Sequence, residues 1–278
     1  MPGRNMKHVF ITEQGNSEEI REKVSKIRKL DHFVYEVKEG EDVTSFVKEY
    51  LEKETEEKVV FYACEGDRML NEVVNGIVGH PNAAVTVYPM DARNDYIKYF
   101  GGSAMFKNLN SLTRGIEVPV DVFKVNDRYA LNVISFGYNG LTRNSLNNNC
   151  HVKVDGELLN PSGEYCLGTV SNGSFVDGQY NCAPLSIVND GLAEVCLVSN
   201  VIEEELDVFL DKYTYGGHLT DGDYDKHVTY CRGKKIELDS NEDMEISVDG
   251  INISGKHFEI ENLECYMNFV IPDYDCDC

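Results

Sequence analysis

The pattern of hydrophobic and polar positions changes along the chain, and this change divides the chain into two regions. In the first third, short apolar runs alternate with segments in which apolar residues recur every three or four positions. This pattern predicts strands near residues 9–12, 32–37, 59–63 and 84–88, with helices between them. Strands that alternate with helices favour a parallel sheet.

Local signals predict where two of these helices begin or end. Asn16 and Glu19 have the spacing of a capping box, so a helix is predicted to begin near Asn16. Helical spacing continues from Phe106 to Leu112, and Gly115 follows as the predicted C-cap of that helix.

From Val118 onward, period-two runs separated by turn pairs dominate, interrupted by a helical pattern near residues 202–213. This is typical of an antiparallel sandwich or barrel. We therefore predict a Rossmann-like parallel α/β domain at residues 1–118, with a returning segment at about 259–278, and an antiparallel β-sandwich at 119–258. The turn pairs are Asn126-Asp127, Asp155-Gly156, Asn189-Asp190-Gly191 and Asp249-Gly250.

Composition narrows the function classes. A formal net charge of -22 argues against nucleic-acid binding, which depends on clustered Lys and Arg, and it would repel an anionic membrane surface. The sequence has no apolar run of membrane-spanning length and no signal-peptide pattern before the first strand. An odd number of cysteines, nine, fits reduced thiols. We expect a soluble cytoplasmic protein.

Two polar loops, Cys64–Arg68 and Pro89–Asp95, follow neighbouring strands of the predicted sheet. Ligands of parallel sheets bind beyond the carboxyl ends of strands, where N–H groups at a helix N-terminus can hold an anion. The loops therefore indicate a phosphate site, although any α/β domain has loops at these positions.

The residues in and after these loops resemble the diacylglycerol and sphingosine kinase family. Residues 65–76, Glu-Gly-Asp-Arg-Met-Leu-Asn-Glu-Val-Val-Asn-Gly, are similar to the family run Gly-Gly-Asp-Gly-Thr-Leu-Asn-Glu-Val-Val-Asn-Gly. Pro89–Asp95 resembles Pro-Leu-Gly-Thr-x-Asn-Asp, and weaker matches keep the family order through Val248-Asp249-Gly250. The resemblance spans nearly the whole chain.

The resemblance implies a kinase that phosphorylates a lipid hydroxyl, with Mg-ATP in the cleft between two domains. It implies Asp249 as the general base and Asp67, Asp95 and Asp121 as an acidic network around Mg²⁺, with Asp190 at a second, structural Mg²⁺. The metal ligands assigned are Asp67, Asp121 and Asp190. The expected nucleotide-binding residues are Gly66, Asp67, Arg68, Asn71, Asn94 and Asp95.

The same motifs contain specific departures. Arg68 and Met69 stand where the family has glycine and threonine, as do Asp91 and Ala92 in the second loop. Arg68 could bind a phosphate, or it could pair with Asp91 and close the site. The alternatives are therefore an inactive pseudokinase that binds lipid or nucleotide and, ranked lower, an NAD kinase. A lipid substrate implies transient contact with a membrane surface, and an edge strand could support a homodimer.

Overall fold

The computed structural model describes residues 6–54, 57–90, 94–137, 148–199, 203–222 and 225–273. The chain forms two units, each with its own internal contacts. The α/β unit comprises Met1–Val120 together with Tyr266–Cys278, and the β-rich unit comprises Asp121–Cys265. None of the helices in the described ranges has both the length and the apolar character needed to cross a membrane.

The α/β unit contains a parallel sheet. Strand β1 pairs with β2 on one side and β3 on the other, and β3 pairs with β4. Every residue of β3 after Lys58 is buried, which explains its continuous apolar run. The strands are β1 (Met6–Glu13), β2 (His32–Val37), β3 (Lys58–Ala63) and β4 (Ala83–Val87).

Helices connect these strands, as predicted for a parallel sheet. Helix α2 packs on α3, and the close approach requires Gly76, because a Cβ there would lie 2.5 Å from the Cβ of Val47. The helices are α1 (Ser17–Ser25), α2 (Val43–Lys53), α3 (Asp67–Ile77), a 3-10 helix (Tyr96–Phe100), α4 (Ser103–Phe106) and α5 (Leu109–Thr113).

Helix α1 begins directly after Asn16, as predicted, but Asn16 forms no side-chain cap, and its amide donates to Glu65 (2.9 Å). The predicted helix from Phe106 is broken after that residue, and Asn108 caps a separate helix by accepting from the N–H of Ser111. Gly115 does not adopt a left-handed conformation, and the adjacent backbone of Ile271 leaves no room for a Cβ.

The β-rich unit is built from antiparallel strands. Its main sheet has the order β16-β15-β12-β7-β17-β18. The strands are β5 (Ile116–Val125), β6 (Arg128–Ala130), β7 (Val133–Gly137), β8 (Asn148–Asn149), β9 (His151–Val154), β10 (Glu157–Leu158), β11 (Glu164–Tyr165), β12 (Leu167–Ser171), β13 (Phe175–Val176), β14 (Tyr180–Asn181), β15 (Ala193–Val198), β16 (Val228–Gly233), β17 (Lys235–Val248) and β18 (Ile251–Ile271).

A bulge in β17 lets one strand serve two pairings. Its first half pairs with β9 and its second half with β7, with the register shift between Asp239 and Met244. The apolar side chains of these strands form one buried core. The predicted fold class, a parallel α/β domain followed by an antiparallel β-sandwich, is confirmed.

A smaller apolar cluster lies under the helical segment of the β-rich unit. Leu206, Phe209 and Tyr213 of α6 (Glu203–Tyr215) pack with Val133, Cys182 and Cys196, and the short α7 (Gly217–Thr220) follows. The predicted helical pattern near residues 202–213 therefore corresponds to α6. In the α/β unit, the last part of β18 pairs in parallel with β4 through Asn268 and Phe269.

Candidate active site

Asp67 connects the two predicted phosphate loops within the α/β unit. It is the first residue of α3, directly after β3, and its carboxylate accepts the backbone N–H of Asp95 (2.7 Å) and of Tyr96 (3.4 Å). Asp95 in turn pairs with Lys98 at 2.6 Å and is largely buried, and Asn94 beside it is fully buried. The loops after β3 and β4 thus meet at one edge of the sheet.

Arg68 does not strain the first loop. It lies in α3 with right-handed helical backbone, and Gly66 before it is an extended N-cap, so neither residue needs the left-handed conformation that favours glycine. The Arg68 side chain is 79% exposed and its Nε pairs with Glu72 at 3.2 Å. Asp91, and with it the predicted Arg68–Asp91 ion pair, lies outside the described residues.

Asn71 lies on the buried face of α3. Its side chain is fully buried, and its Oδ1 and backbone carbonyl accept hydrogen bonds from Asn75 Nδ2 at 3.1 and 2.8 Å. This places Asn71 one turn below the strand-end loop. Its predicted contact with nucleotide stays a prediction.

Glu65 is a site residue that the sequence analysis did not select. Its Oε1 accepts from Thr12 Oγ1 (3.2 Å), the Glu13 backbone (3.4 Å) and Asn16 Nδ2 (2.9 Å), so it joins the loop after β1 to the loop after β3. Its position in the motif could have identified it, because glutamate stands at residue 65 where the family run has glycine.

Asp249 lies in the β-rich unit, at a two-residue turn between β17 and β18. Asp249 and Gly250 both have positive φ, at 49° and 84°, as in a type I′ hairpin. The Asp249 carboxylate is largely buried and accepts three backbone N–H groups, from Leu131 (2.7 Å), Asn132 (3.0 Å) and Val133 (3.0 Å). The side chain therefore has a fixed position, which a solvent-facing turn residue would not require.

Asp121 is fully buried in the β-rich unit and accepts hydrogen bonds from three residues. Its Oδ1 accepts the N–H of Cys265 (2.7 Å), and its Oδ2 accepts the N–H of Gly191 (2.7 Å) and Nδ2 of Asn262 (3.2 Å). Burial raises the pKa of Asp121, and the donors from Cys265, Gly191 and Asn262 oppose that shift.

Asp190 is neutralised by a cation of the protein itself. Its carboxylate is bound by Arg232 Nη2 and accepts the N–H of Leu192 at 3.1 Å. Arg232 also donates to Glu194 at 2.7 Å. Burial raises the pKa of Glu194, against the hydrogen bond from Tyr230 and the charge of Arg232. Among the residues that the structure describes, no group of three His, Cys, Asp or Glu is arranged to hold a metal ion.

Two family models, which together match most of the chain, place it in a class of kinases. The diacylglycerol kinase catalytic domain model matches residues 8–125, and the YegS C-terminal NAD kinase beta sandwich-like domain model matches residues 110–261, more than half of the chain. The chain therefore belongs to the diacylglycerol kinase-like family of lipid kinases. This confirms the resemblance drawn from the motifs.

Known proteins support this assignment along the chain. A diacylglycerol kinase of Bacillus subtilis is 23% identical over 259 residues, which cover 83% of this chain and 82% of that protein. A diacylglycerol kinase of Staphylococcus carnosus is 26% identical over 245 residues, covering 78% and 76%. The crystal structure of a diacylglycerol kinase from Bacillus anthracis has a TM-score of 0.76 at 18% identity, with 98% of each chain covered, and so shows the same fold.

Proposed function

We propose that this protein transfers the terminal phosphoryl group of ATP to the hydroxyl group of a lipid. The observation that carries the proposal is the hydrogen bonding of Asp67 to the backbone of Asp95 and Tyr96. This contact unites two loops whose sequences resemble the phosphate loops of lipid kinases. Phosphoryl transfer depends mainly on positioning and charge stabilisation, so a fixed pair of loops is the first requirement.

The α/β unit supplies the nucleotide site in this proposal. Gly66 gives α3 no side-chain cap, and an uncapped helix N-terminus favours an anion. Asp67 is a hard oxygen donor beside it, and this donor chemistry fits Mg²⁺, whereas Asp95 already pairs with Lys98. When bound, Mg²⁺ would neutralise negative charge on the phosphates. Asp190 fits a metal ion less well, because the Arg232 guanidinium already compensates its charge.

Asp249 accepts the proton in this proposal. The lipid hydroxyl oxygen forms a bond to the γ-phosphorus while the bond from that phosphorus to the leaving ADP oxygen breaks, and the hydroxyl proton passes to the Asp249 carboxylate. The three N–H donors hold this carboxylate in place. A strong base is not required, since the loose transition state leaves little covalent chemistry to the protein.

The test is an acceptor panel. Purified protein is incubated with Mg-ATP and diacylglycerol, a sphingoid base, ceramide or NAD, and both ADP and the phosphorylated acceptor are quantified. We expect one lipid class to yield product in a 1:1 ratio with ADP. Product from NAD alone would assign an NAD kinase. Absence of any product, combined with absence of ATP binding, would assign an inactive member of the family and contradict the proposal.

A further inference from the structure

A basic cleft lies in the α/β unit beside the first residues of the Pro89–Asp95 loop. It has a volume of about 540 Å³ and is lined by one face of α1 and the two residues after it, by residues 88–90 after β4 and by residues 107–110 at the start of α5. Neither Asp67 nor Asp95 lines it. Clefts of roughly 300–1,000 Å³ are the usual size of small-molecule sites.

The charge of this cleft is opposite to that of the chain. The sequence has 48 acidic and 26 basic residues, yet three lysines (Lys23, Lys26 and Lys107) and one acid (Glu19) line the cleft. The overall charge is screened beyond roughly 8 Å at physiological salt, so the local lysines dominate for a bound ion. The cleft therefore favours an anionic group.

One of the lysines is held in position. Lys23 Nζ donates to Glu19 (2.6 Å) and to the hydroxyl of Tyr88 (2.9 Å), and it lies 5.2 Å from the centre of the Tyr88 ring. The hydrogen bond to Glu19 raises the pKa of Lys23, so the ammonium stays charged. Lys107 and Lys26 are exposed, and Lys26 pairs with Glu22 across one helical turn.

One part of the remaining wall is apolar, beside the polar Asn108 and Asn110. Ile27, Met90 and the largely buried Leu109 line it beside the lysines. Inorganic phosphate would leave this wall uncovered. An organic molecule with a phosphate group would use both surfaces, because lysine binds phosphate as a point charge and the apolar wall covers hydrocarbon.

We propose that this cleft is a second ligand site, which binds a phosphate monoester that carries an apolar or carbon-rich part. The ligand could be a soluble phosphate ester or the headgroup of a phospholipid, since both present the same chemistry. The inference does not rest on the proposed kinase activity. Asp67, Asp95 and Asp249 do not line the cleft, and the proposed nucleotide site shares with it only Pro89 and Met90 of the second loop.

Calorimetric titration with glycerol 3-phosphate tests the site, together with sedimentation against phosphatidic acid and phosphatidylcholine vesicles. The test variant is Lys26→Glu with Lys107→Glu. The matched control is Lys48→Glu with Lys53→Glu on α2, which makes the same change in net charge and also removes one lysine from an i,i+4 pair. Circular dichroism checks that both variants fold.

We expect the cleft variant to bind glycerol 3-phosphate, or vesicles of phosphatidic acid, at least about tenfold more weakly than wild type, with the control within about twofold. Binding of the soluble ester alone assigns a soluble ligand, and binding of phosphatidic acid vesicles alone assigns a lipid headgroup. Asp67→Ala should leave this binding unchanged. Equal weakening in both lysine variants, or no binding by wild type to either probe, would overturn the site.

Discussion

In the α/β unit, Asp67 accepts N–H groups from a neighbouring loop, whereas in the β-rich unit Asp190 is bound by the guanidinium of Arg232. Both aspartates belong to motifs that resemble those of lipid kinases. The first carboxylate organises loops and lies at a helix N-terminus that favours anions. The second has its charge already compensated. The difference teaches that two aspartates of similar motifs can have opposite surroundings, since only Asp190 has its charge compensated by a cation of the protein.

The largest expected effect is a fall in kcat when Asp249 is substituted. Asp249→Asn removes the proposed proton acceptor but keeps an oxygen that can accept from Asn132 and Val133, and asparagine tolerates the left-handed turn conformation. We expect kcat to fall by roughly 10²–10⁴-fold, the usual contribution of general base catalysis. Unchanged kcat in a folded Asp249→Asn protein would reduce Asp249 to a turn residue.

Asp121 tests the buried carboxylates of the β-rich unit. Asp121→Ala leaves the N–H groups of Gly191 and Cys265 and the amide of Asn262 without their acceptor, so we expect a loss of about 3–4 kcal/mol in unfolding free energy. Asp121→Asn is the matched control and should cost less, because it keeps one acceptor oxygen. Urea denaturation measures both. Equal losses would show that the one acceptor oxygen kept in Asp121→Asn preserves no stability, and would contradict this account of the hydrogen bonds.

Arg232 tests whether the protein replaces a metal ion at Asp190. Arg232→Met leaves the buried Glu194 without its guanidinium partner, and we expect the free energy of unfolding to fall by about 3 kcal/mol. Adding Glu194→Gln to this variant should recover part of the loss. The β-rich unit of wild type should have the same melting temperature in 5 mM Mg²⁺ and in chelator. A higher melting temperature with Mg²⁺ that Asp190→Asn abolishes would restore the structural metal site.

Each unit carries a buried histidine that makes it sensitive to acid. Burial lowers the pKa of His8, which contacts Tyr62, to about 4, and burial also lowers the pKa of His218 to about 4. The unfolded chain therefore binds more protons between pH 6.5 and 4, so stability falls as pH falls through this range. At pH 5, each histidine should lower the free energy of unfolding by about 2 kcal/mol.

Urea denaturation at pH 8, 6.5 and 5 measures this acid sensitivity. His8→Gln should reduce the pH dependence of the α/β unit alone, and His218→Gln that of the β-rich unit alone. The pKa values of Asp121 and Glu194 are raised, so their protonation increases stability as the pH falls, which is opposite to the effect of the histidines. Histidine variants whose stability depends on pH as steeply as that of wild type would contradict the assignment of both histidines as buried neutral groups.

Periodicity predicted the sheet and helix pattern because strand and helix formation follow local alternation, as in β3 and α3. It did not predict the break after Phe106, where Asn108 starts a new helix, or the role of Asn16, whose partner Glu65 is 49 residues away. The Asp190–Arg232 pair and the lysine cleft also depend on segments far apart in sequence. No local signal can specify such contacts, because the tertiary fold alone brings these residues together.

Calorimetric titration of Mg-ATP into wild type and Asp67→Ala tests the central claim most directly. The matched control is Asp42→Ala, because Asp42 also lies at the start of a helix in the α/β unit but caps α2. We predict saturable binding by wild type and by the Asp42 variant, and none by the Asp67 variant at millimolar nucleotide. Equal binding by all three proteins would move the nucleotide away from the strand-end loops and contradict the account.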